Sequence, residues 1–249
     1  MLNEFEMLCK DAAFCMCGQN RKSSIGTLGE KTLHSVLKKY YEPDETKQEI
    51  KIGRFVADIK NDTGIVEVQT RNFNTLRRKL EAFLPEYEVT VVYPIAQTKW
   101  LLWIDEATGE VTKKRRSPKI GAPCDICSEL YKIKSQLLNP HLHLRIPLLH
   151  LEEYRLLNGW STDGKKGSTR YERIPISLMD VVEISCLEDY CKLLPNNLPE
   201  TFYSKDFQKM AKLSPRAAGT ALNVLHSVGA VERIGKSGNR YQYQITKRA

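Results

Sequence analysis

The sequence predicts an α/β protein: a mixed sheet with helices packed on it, then an α+β middle region and a small domain of two helices and a β-hairpin at the C-terminal end. Three observations carry this reading. Two β-rich runs, Gly53–Lys60 and Ile65–Thr70, flank the turn signal Asn61-Asp62-Thr63-Gly64. Apolar residues at helical spacing bracket that hairpin, as Leu33, Val36, Leu37 and Tyr40 before it and Leu76, Leu80, Phe83 and Leu84 after it. Beyond them, Val89–Pro94 and Lys99–Ile104 are apolar runs of the buried-strand kind.

The expected segments of the 249-residue chain are an N-terminal extension (1–22), a core (23–112), a middle region (113–195) and a C-terminal domain (196–249). No apolar run approaches the roughly 18–20 residues that cross a bilayer, so no membrane partner is expected. The N-terminus MLNEFEMLCK lacks a signal-peptide pattern. Seven cysteines, odd in number and mixed in spacing, suit a reducing compartment, and the chain reads as cytoplasmic. The net charge of +8 is unevenly spread: residues 196–249 carry nine Lys/Arg against three acids, or +6. A basic terminal segment points to a polyanion partner.

Taken in order, Cys9, Cys15 and Cys17 lie in the N-terminal extension, and Cys124-x-x-Cys127 with His141 and His143 lies further on. Only the second cysteine pair has zinc-site spacing, so thiols without a metal are the expectation. Ile25 to His34 opens a helix, with Ser23 and Ser24 as caps, and Glu30 falls on its apolar stripe. Glu49–Ile52 is the first strand. In the hairpin, Lys60 pairs with Ile65, Ile59 with Val66 and Asp58 with Glu67. Alternation then puts Phe55, Ala57, Ile59, Val66 and Val68 on one face and Val56, Asp58, Ile65, Glu67 and Gln69 on the other. Like charges placed directly opposite repel, and removing one should hold or raise stability. A hard divalent cation between two carboxylates relieves the same repulsion. Asn74 is the expected cap of the next helix, whose exposed side carries Arg77, Arg78 and Lys79.

A helix with an inward glutamate, a strand with an aspartate, and a strand with Glu67-Val68-Gln69 resemble the PD-(D/E)xK nuclease superfamily. The resemblance spans about eighty residues and implies a restriction-endonuclease-like αβββαβ core. It implies a metal-dependent nuclease acting on DNA, with RNA left open, in which Asp58, Glu67 and Glu30 hold Mg²⁺ (or Mn²⁺). Glu30, Asp58, Glu67 and Gln69 would be the catalytic set. Gln69 stands where most members carry lysine, though some active restriction enzymes use glutamine there. An amide cannot act as a general base at neutral pH, so Gln69 would position the nucleophile by hydrogen bonding. Nucleases that cut both strands often pair, so a homodimer fits the resemblance.

In the middle region, Lys113–Arg116 is a basic loop, Ile126–Leu138 a helix, and Leu142–Leu157 a strand or strand pair. Asp163-Gly164-Lys165-Lys166-Gly167 reads as a hairpin tip and Ser177–Leu194 as a helix. In the last segment, Phe202–Ala211 is a short helix with Ser204 as a cap. A second helix is capped by Ser214, has Pro215 at its first position, turns Ala217, Ala221, Val224 and Leu225 inward, and ends at Gly229. Val231–Ile234 and Tyr241–Ile245 then flank a basic glycine-rich tip. This order looks like a winged-helix domain. The likeness implies nucleic-acid contact by Arg216, Thr220 and Asn223 on the second helix and by Lys236 and Arg240 on the wing. A second reading, a DNA-binding regulator or adaptor with a catalytically inert nuclease-like domain, fits Gln69 and the winged helix. A zinc-dependent interaction module is a third.

Overall fold

The computed structural model describes residues 3–18, 32–158, 169–238 and 240–246, with side chains omitted at 15–18. The protein is mixed α/β, and the chain divides into two compact units. Each is assembled from three separate segments.

The first unit takes Met1–Gln48, Ala96–Gly121 and Leu148–Asp180. Helix α1 (Glu4–Gly18) packs on α2 (Thr32–Tyr41) through Phe5, whose ring meets Tyr40 edge-on at 5.1 Å. Leu33, Val36 and Leu37 of α2 are buried as the stripe predicts, while Tyr40 is half-buried. The same unit holds most of β5 (Ile95–Ile104), the short β6 (Arg115–Arg116), and the later part of β7 (Leu142–Leu156). It also holds most of β8 (Thr169–Ile184). β6 pairs antiparallel with β5, so part of the expected basic loop is strand.

The second unit takes Glu49–Ile95, Ala122–Pro147 and Val181–Ala249. Its sheet runs β1 (Gln48–Ile52), β2 (Phe55–Asn61), β3 (Gly64–Val68), β4 (Val89–Val92) and then the start of β7. The β2–β3 pair is antiparallel; β3–β4 and β4–β7 are parallel. Between β3 and β4 the chain forms α3 (Arg77–Phe83). Leu76, Leu80, Phe83 and Leu84 are all buried, as the stripe predicts. The expected Asn74 cap is not used: the turn Phe73–Leu76 leads straight into α3, and no side chain caps it.

Two expected helices are corrected. Ile126–Leu138 is a broken run, with 3-10 turns at Pro123–Ile126 and Tyr131–Gln136 around the single turn α4 (Cys127–Leu130). Ile133 leaves helical space at φ −116°, ψ 24°. Ser177–Leu194 is not a helix: β8 continues to Ile184, and a 3-10 turn follows at Glu188–Leu193. Val181, Val182 and Ile184 are β-branched, and pairing with β7 outweighs the helical spacing of the apolar residues. Leu142–Leu156 is one strand rather than two. The tip Asp163–Gly167 lies outside the described residues.

The C-terminal segment folds as β9 (Thr201–Tyr203), α5 (Ser204–Met210), α6 (Pro215–Ser227), β10 (Val231–Ser237) and β11 (Arg240–Ile245). Ser214 caps α6, accepting from Ala217 N–H at 3.3 Å, and Pro215 takes the first position. Gly229 ends the turn with φ +77°, a conformation that favours glycine. Ser204 is not a cap; Tyr203 holds that position, and its N–H donates to Asp206 Oδ2 at 2.9 Å. The sheet order is β10-β11-β9. Within the second unit α6 packs on α5, on α4 and on the Tyr131–Gln136 turn. Among the described residues no helix is long and apolar enough to cross a membrane.

Candidate active site

The acidic hairpin forms with the expected register: Ile59 faces Val66 and Lys60 faces Ile65. Asn61 closes the turn, its Oδ1 accepting from the Thr63 N–H and hydroxyl. Gly64 has φ +126°, and a Cβ there would stand 2.3 Å from the Glu88 carbonyl oxygen. Only glycine allows that approach, which brings Ile65 N–H to Glu88 O at 2.8 Å. Ala57, Ile59, Val66 and Val68 form the buried apolar face. The opposite face is not a solvated one. β3 lies between β2 and β4, and Ile65 and Glu67 are as buried as the residues behind them.

Glu67 is fully buried. Its Oε1 accepts from Asp58 N–H at 3.4 Å, and Asp58 Oδ2 accepts from Val68 N–H at 2.8 Å. The two carboxylates are therefore crossed over the strand pair, each held by the other strand's backbone. Burial, then the Asp58 charge, pushes the Glu67 carboxyl up to about 7.

The group sequence reasoning missed is Lys79. It was expected on the exposed side of α3, but its Nζ lies 2.7 Å from Glu67 Oε2, and its side chain is only 22% exposed. A signal was there: Lys79 stands three residues after Leu76 and four before Phe83, on the edge of the buried stripe. Lys79 thus places an ammonium against the carboxylate pair and opposes the rise in Glu67's proton affinity. Gln69 follows β3 half-buried, its N–H donating to Val92 O at 2.8 Å. Glu30 lies outside the described residues. Among the described residues no cluster of three or more His, Cys, Asp or Glu is arranged to hold a metal ion.

Residues 31–185, more than half of the chain, match the family described as Domain of unknown function (DUF8091). The chain belongs to the DUF8091 family. It is also similar to an uncharacterized protein of Treponema pallidum (strain Nichols), 31% identical over 219 residues covering 85% of this chain and 81% of that protein. No solved structure matches. The DUF8091 match includes Asp58, Glu67, Gln69 and Lys79 and ends before the C-terminal helices.

Of the residues expected at a nucleic-acid surface, Arg216 is exposed, and Thr220 and Asn223 are half-buried. The Thr220 hydroxyl donates to Arg216 O at 3.0 Å, and Asn223 Oδ1 accepts from Lys134 Nζ at 3.1 Å. Lys134 therefore adds a cation beside α6 that the sequence did not single out. On the wing, Lys236 and Arg240 are exposed. Lys236 and Arg233 lie over the Tyr241 ring, at 5.5 and 4.5 Å.

Two further groupings of this DUF8091 chain bear on metals. Glu88 bridges two imidazoles, with His141 Nδ1 2.6 Å from one carboxylate oxygen and His143 Nε2 2.7 Å from the other. These contacts hold Glu88 below the usual carboxylate range. Cys124 and Cys127 are buried, and burial pushes the Cys127 thiol well up; Cys9 is raised to about 12 for the same reason.

Proposed function

We propose that this protein is a metal-dependent nuclease that hydrolyses DNA phosphodiester bonds. The observation that carries the reading is the meeting of Asp58, Glu67 and Lys79 on β2, β3 and α3. The element order from α2 to β5 supports a restriction-endonuclease-like core. The residues fit a hard cation. Two carboxylates share one site, Glu67 buried and Asp58 half-buried, and the Glu67 carboxyl, pushed up to about 7, needs a positive partner to stay ionised. Asp58 and Glu67 would hold Mg²⁺ or Mn²⁺, with Glu30 as an outer contributor. The ion would polarise the scissile phosphate and lower the pKa of water.

The chain's own residues supply the rest. The Lys79 ammonium provides the positive charge that Gln69 lacks, and can stabilise charge developing on a phosphate oxygen. Gln69 can orient a water through its amide. The Asp58 carboxylate is fixed in direction by Val68 N–H. Docking of the polyanion would fall to the basic C-terminal segment, with Arg216, Lys134, Lys236 and Arg240 as phosphate contacts. A reducing, cytoplasmic setting agrees with cysteines 9, 124, 127, 186 and 191, which form no disulfide. RNA as a substrate and homodimer formation belong to the same proposal as open arms of its test.

One observation favours the second reading, an inert nuclease-like domain in a DNA-binding regulator: Lys79 already answers the charge of Glu67. Cleavage assays on single- and double-stranded DNA and on RNA, with Mg²⁺ or Mn²⁺, separate the two. The nuclease reading expects metal-dependent cleavage by the wild type and none by Asp58→Asn or Glu67→Gln, with DNA binding retained. Absence of cleavage by the wild type with either ion would leave the regulator as the answer.

A further inference from the structure

An aromatic row leads from the core of the C-terminal segment out to its wing. Phe202 on β9 is buried and stacks on Tyr243 of β11, with 5.8 Å between centroids and 16° between planes. Tyr243 is buried too, and its ring lies 6.4 Å from that of Tyr241, edge-on. Tyr241 ends the row 42% exposed. Its ring is thus anchored to the core on one side and open to solvent on the other.

Alternation alone would send Arg233 and Lys236, three residues apart on β10, to opposite faces of the hairpin. The register shift between Arg233 and Gly235 undoes this. Arg233 then stands opposite Tyr243, and Lys236 opposite Tyr241. Both cations lie over the Tyr241 ring, at 4.5 and 5.5 Å. Among the described residues no carboxylate lies within ion-pair distance of Arg233, Lys236 or Arg240. Glu232, the acid of β10, pairs with Gln244 on the other face. An exposed ring beside unneutralised cations suits a single nucleic-acid strand: a base stacks on the ring while its phosphates meet the cations.

The neighbouring helix argues the same way. A helix that reads the major groove must offer a free face to the base edges. Along α6 only Pro215, Arg216 and Gly219 are exposed. Asn223 accepts from Lys134, and the Thr220 hydroxyl is turned back to the Arg216 carbonyl. The helix packs on α4, on α5 and on the Tyr131–Gln136 turn, which leaves little of it to enter a groove.

We propose that the wing binds single-stranded nucleic acid, with Tyr241 stacking on a base and Arg233, Lys236 and Arg240 meeting the flanking phosphates. This deepens the docking half of the function proposed above and rests on it, but not on metal-dependent cleavage. DNA and RNA strands share the base faces and phosphodiesters that such a wing meets.

Fluorescence anisotropy of the full chain, in EDTA so that no strand is cut, tests the wing. The probes are a labelled single strand of mixed sequence, as DNA and as RNA, the duplex made from the DNA strand, and an abasic strand of equal length. The wild type should bind the intact strand more tightly than the duplex, and about tenfold or more tighter than the abasic strand. Tyr241→Leu should lose that factor on the intact strand and bind the abasic one as the wild type does. Tyr241→Phe and Tyr241→Trp, which keep a stacking face, should keep the affinity. The tighter-bound of the DNA and RNA strands assigns the source. Equal wild-type affinity for intact and abasic strands, or Tyr241→Leu binding the intact strand as the wild type does, overturns the stacking proposal and leaves docking standing. A duplex preference that is lost in Arg216→Gln also overturns it and returns docking to α6. No binding of any probe overturns the docking reading with it.

Discussion

The Lys79 ammonium lies 2.7 Å from Glu67 Oε2, joining the helix after the hairpin to a carboxylate with no exposure to solvent. The pair decides how the acidic hairpin behaves. Removal of either acid was expected to relieve repulsion and hold or raise stability. With Lys79 beside Glu67 and Val68 N–H bonded to Asp58, each acid has a partner to strand instead. Asp58→Ala and Glu67→Ala are therefore expected to destabilise, by about 1–3 kcal/mol each.

Lys79→Met should lower stability by about 1–3 kcal/mol near pH 8, since it leaves Glu67 buried beside Asp58 without a cation. Urea unfolding at pH 8 and pH 5 measures this. The loss should shrink at pH 5, where Glu67 takes up a proton; an equal loss at both values would contradict the ion-pair account. If the site is catalytic, Lys79→Met should also abolish cleavage, and adding Gln69→Lys should restore part of it.

The pH dependence of the wild type has a defined sign. Glu67 is raised from 4.5 to about 7 in the folded chain, so the fold holds this proton more tightly than the unfolded chain does. Its contribution is fully present below about pH 4.5 and is lost as pH rises toward 7, a change on the order of a few kcal/mol. Glu88, lowered by its two histidines, acts in the opposite sense and loses stability as pH falls. Urea midpoints from pH 4.5 to 8 should therefore show a downward slope in the wild type that Glu67→Gln flattens.

Gly64→Ala should be among the more costly single substitutions in the hairpin. The added Cβ meets Glu88 O at 2.3 Å, and φ +126° is itself strained for alanine. A loss of about 2–3 kcal/mol is expected from circular-dichroism melts. A near-neutral result would show that β3 and the residues before β4 can separate cheaply.

For the wing, the double variant Lys236→Ala/Arg240→Ala should weaken DNA binding and flatten its salt dependence. Each lost phosphate contact removes about 0.9 from the slope of log K against log salt. Fluorescence anisotropy over a salt series reads it, and an unchanged slope removes the wing from the interface. The full chain is the right material, because α6 packs on α4 and the Tyr131–Gln136 turn as well as on α5.

Much of the second unit was legible because its signals are local. The Asn61–Gly64 turn set the register of β2 and β3, and the stripe from Leu76 to Leu84 located α3. Ser214 and Pro215 likewise marked the start of α6. The failures are where tertiary pairing outweighs local spacing. The apolar residues after Ser177 fit a helix, yet they extend β8 along β7, a partner remote in sequence. Lys79 was misplaced for a related reason: a long aliphatic stem can start at the edge of an apolar stripe and carry its charge inward. The ion pairs that Lys99, Arg155 and Arg170 make with Glu153 had no local signal, since their members come from strands whose neighbours only the fold defines.

The alternation of segments between the two units bears on how the chain reaches this structure. It passes from one unit to the other five times, and each unit closes only with its third segment. During synthesis, β4 must wait for Leu142–Arg145 of β7, its second strand neighbour, to emerge. An emerging chain therefore holds the outer edge of β4 unpaired until that part of β7 is made. The many sequence-distant contacts favour slow folding with late commitment.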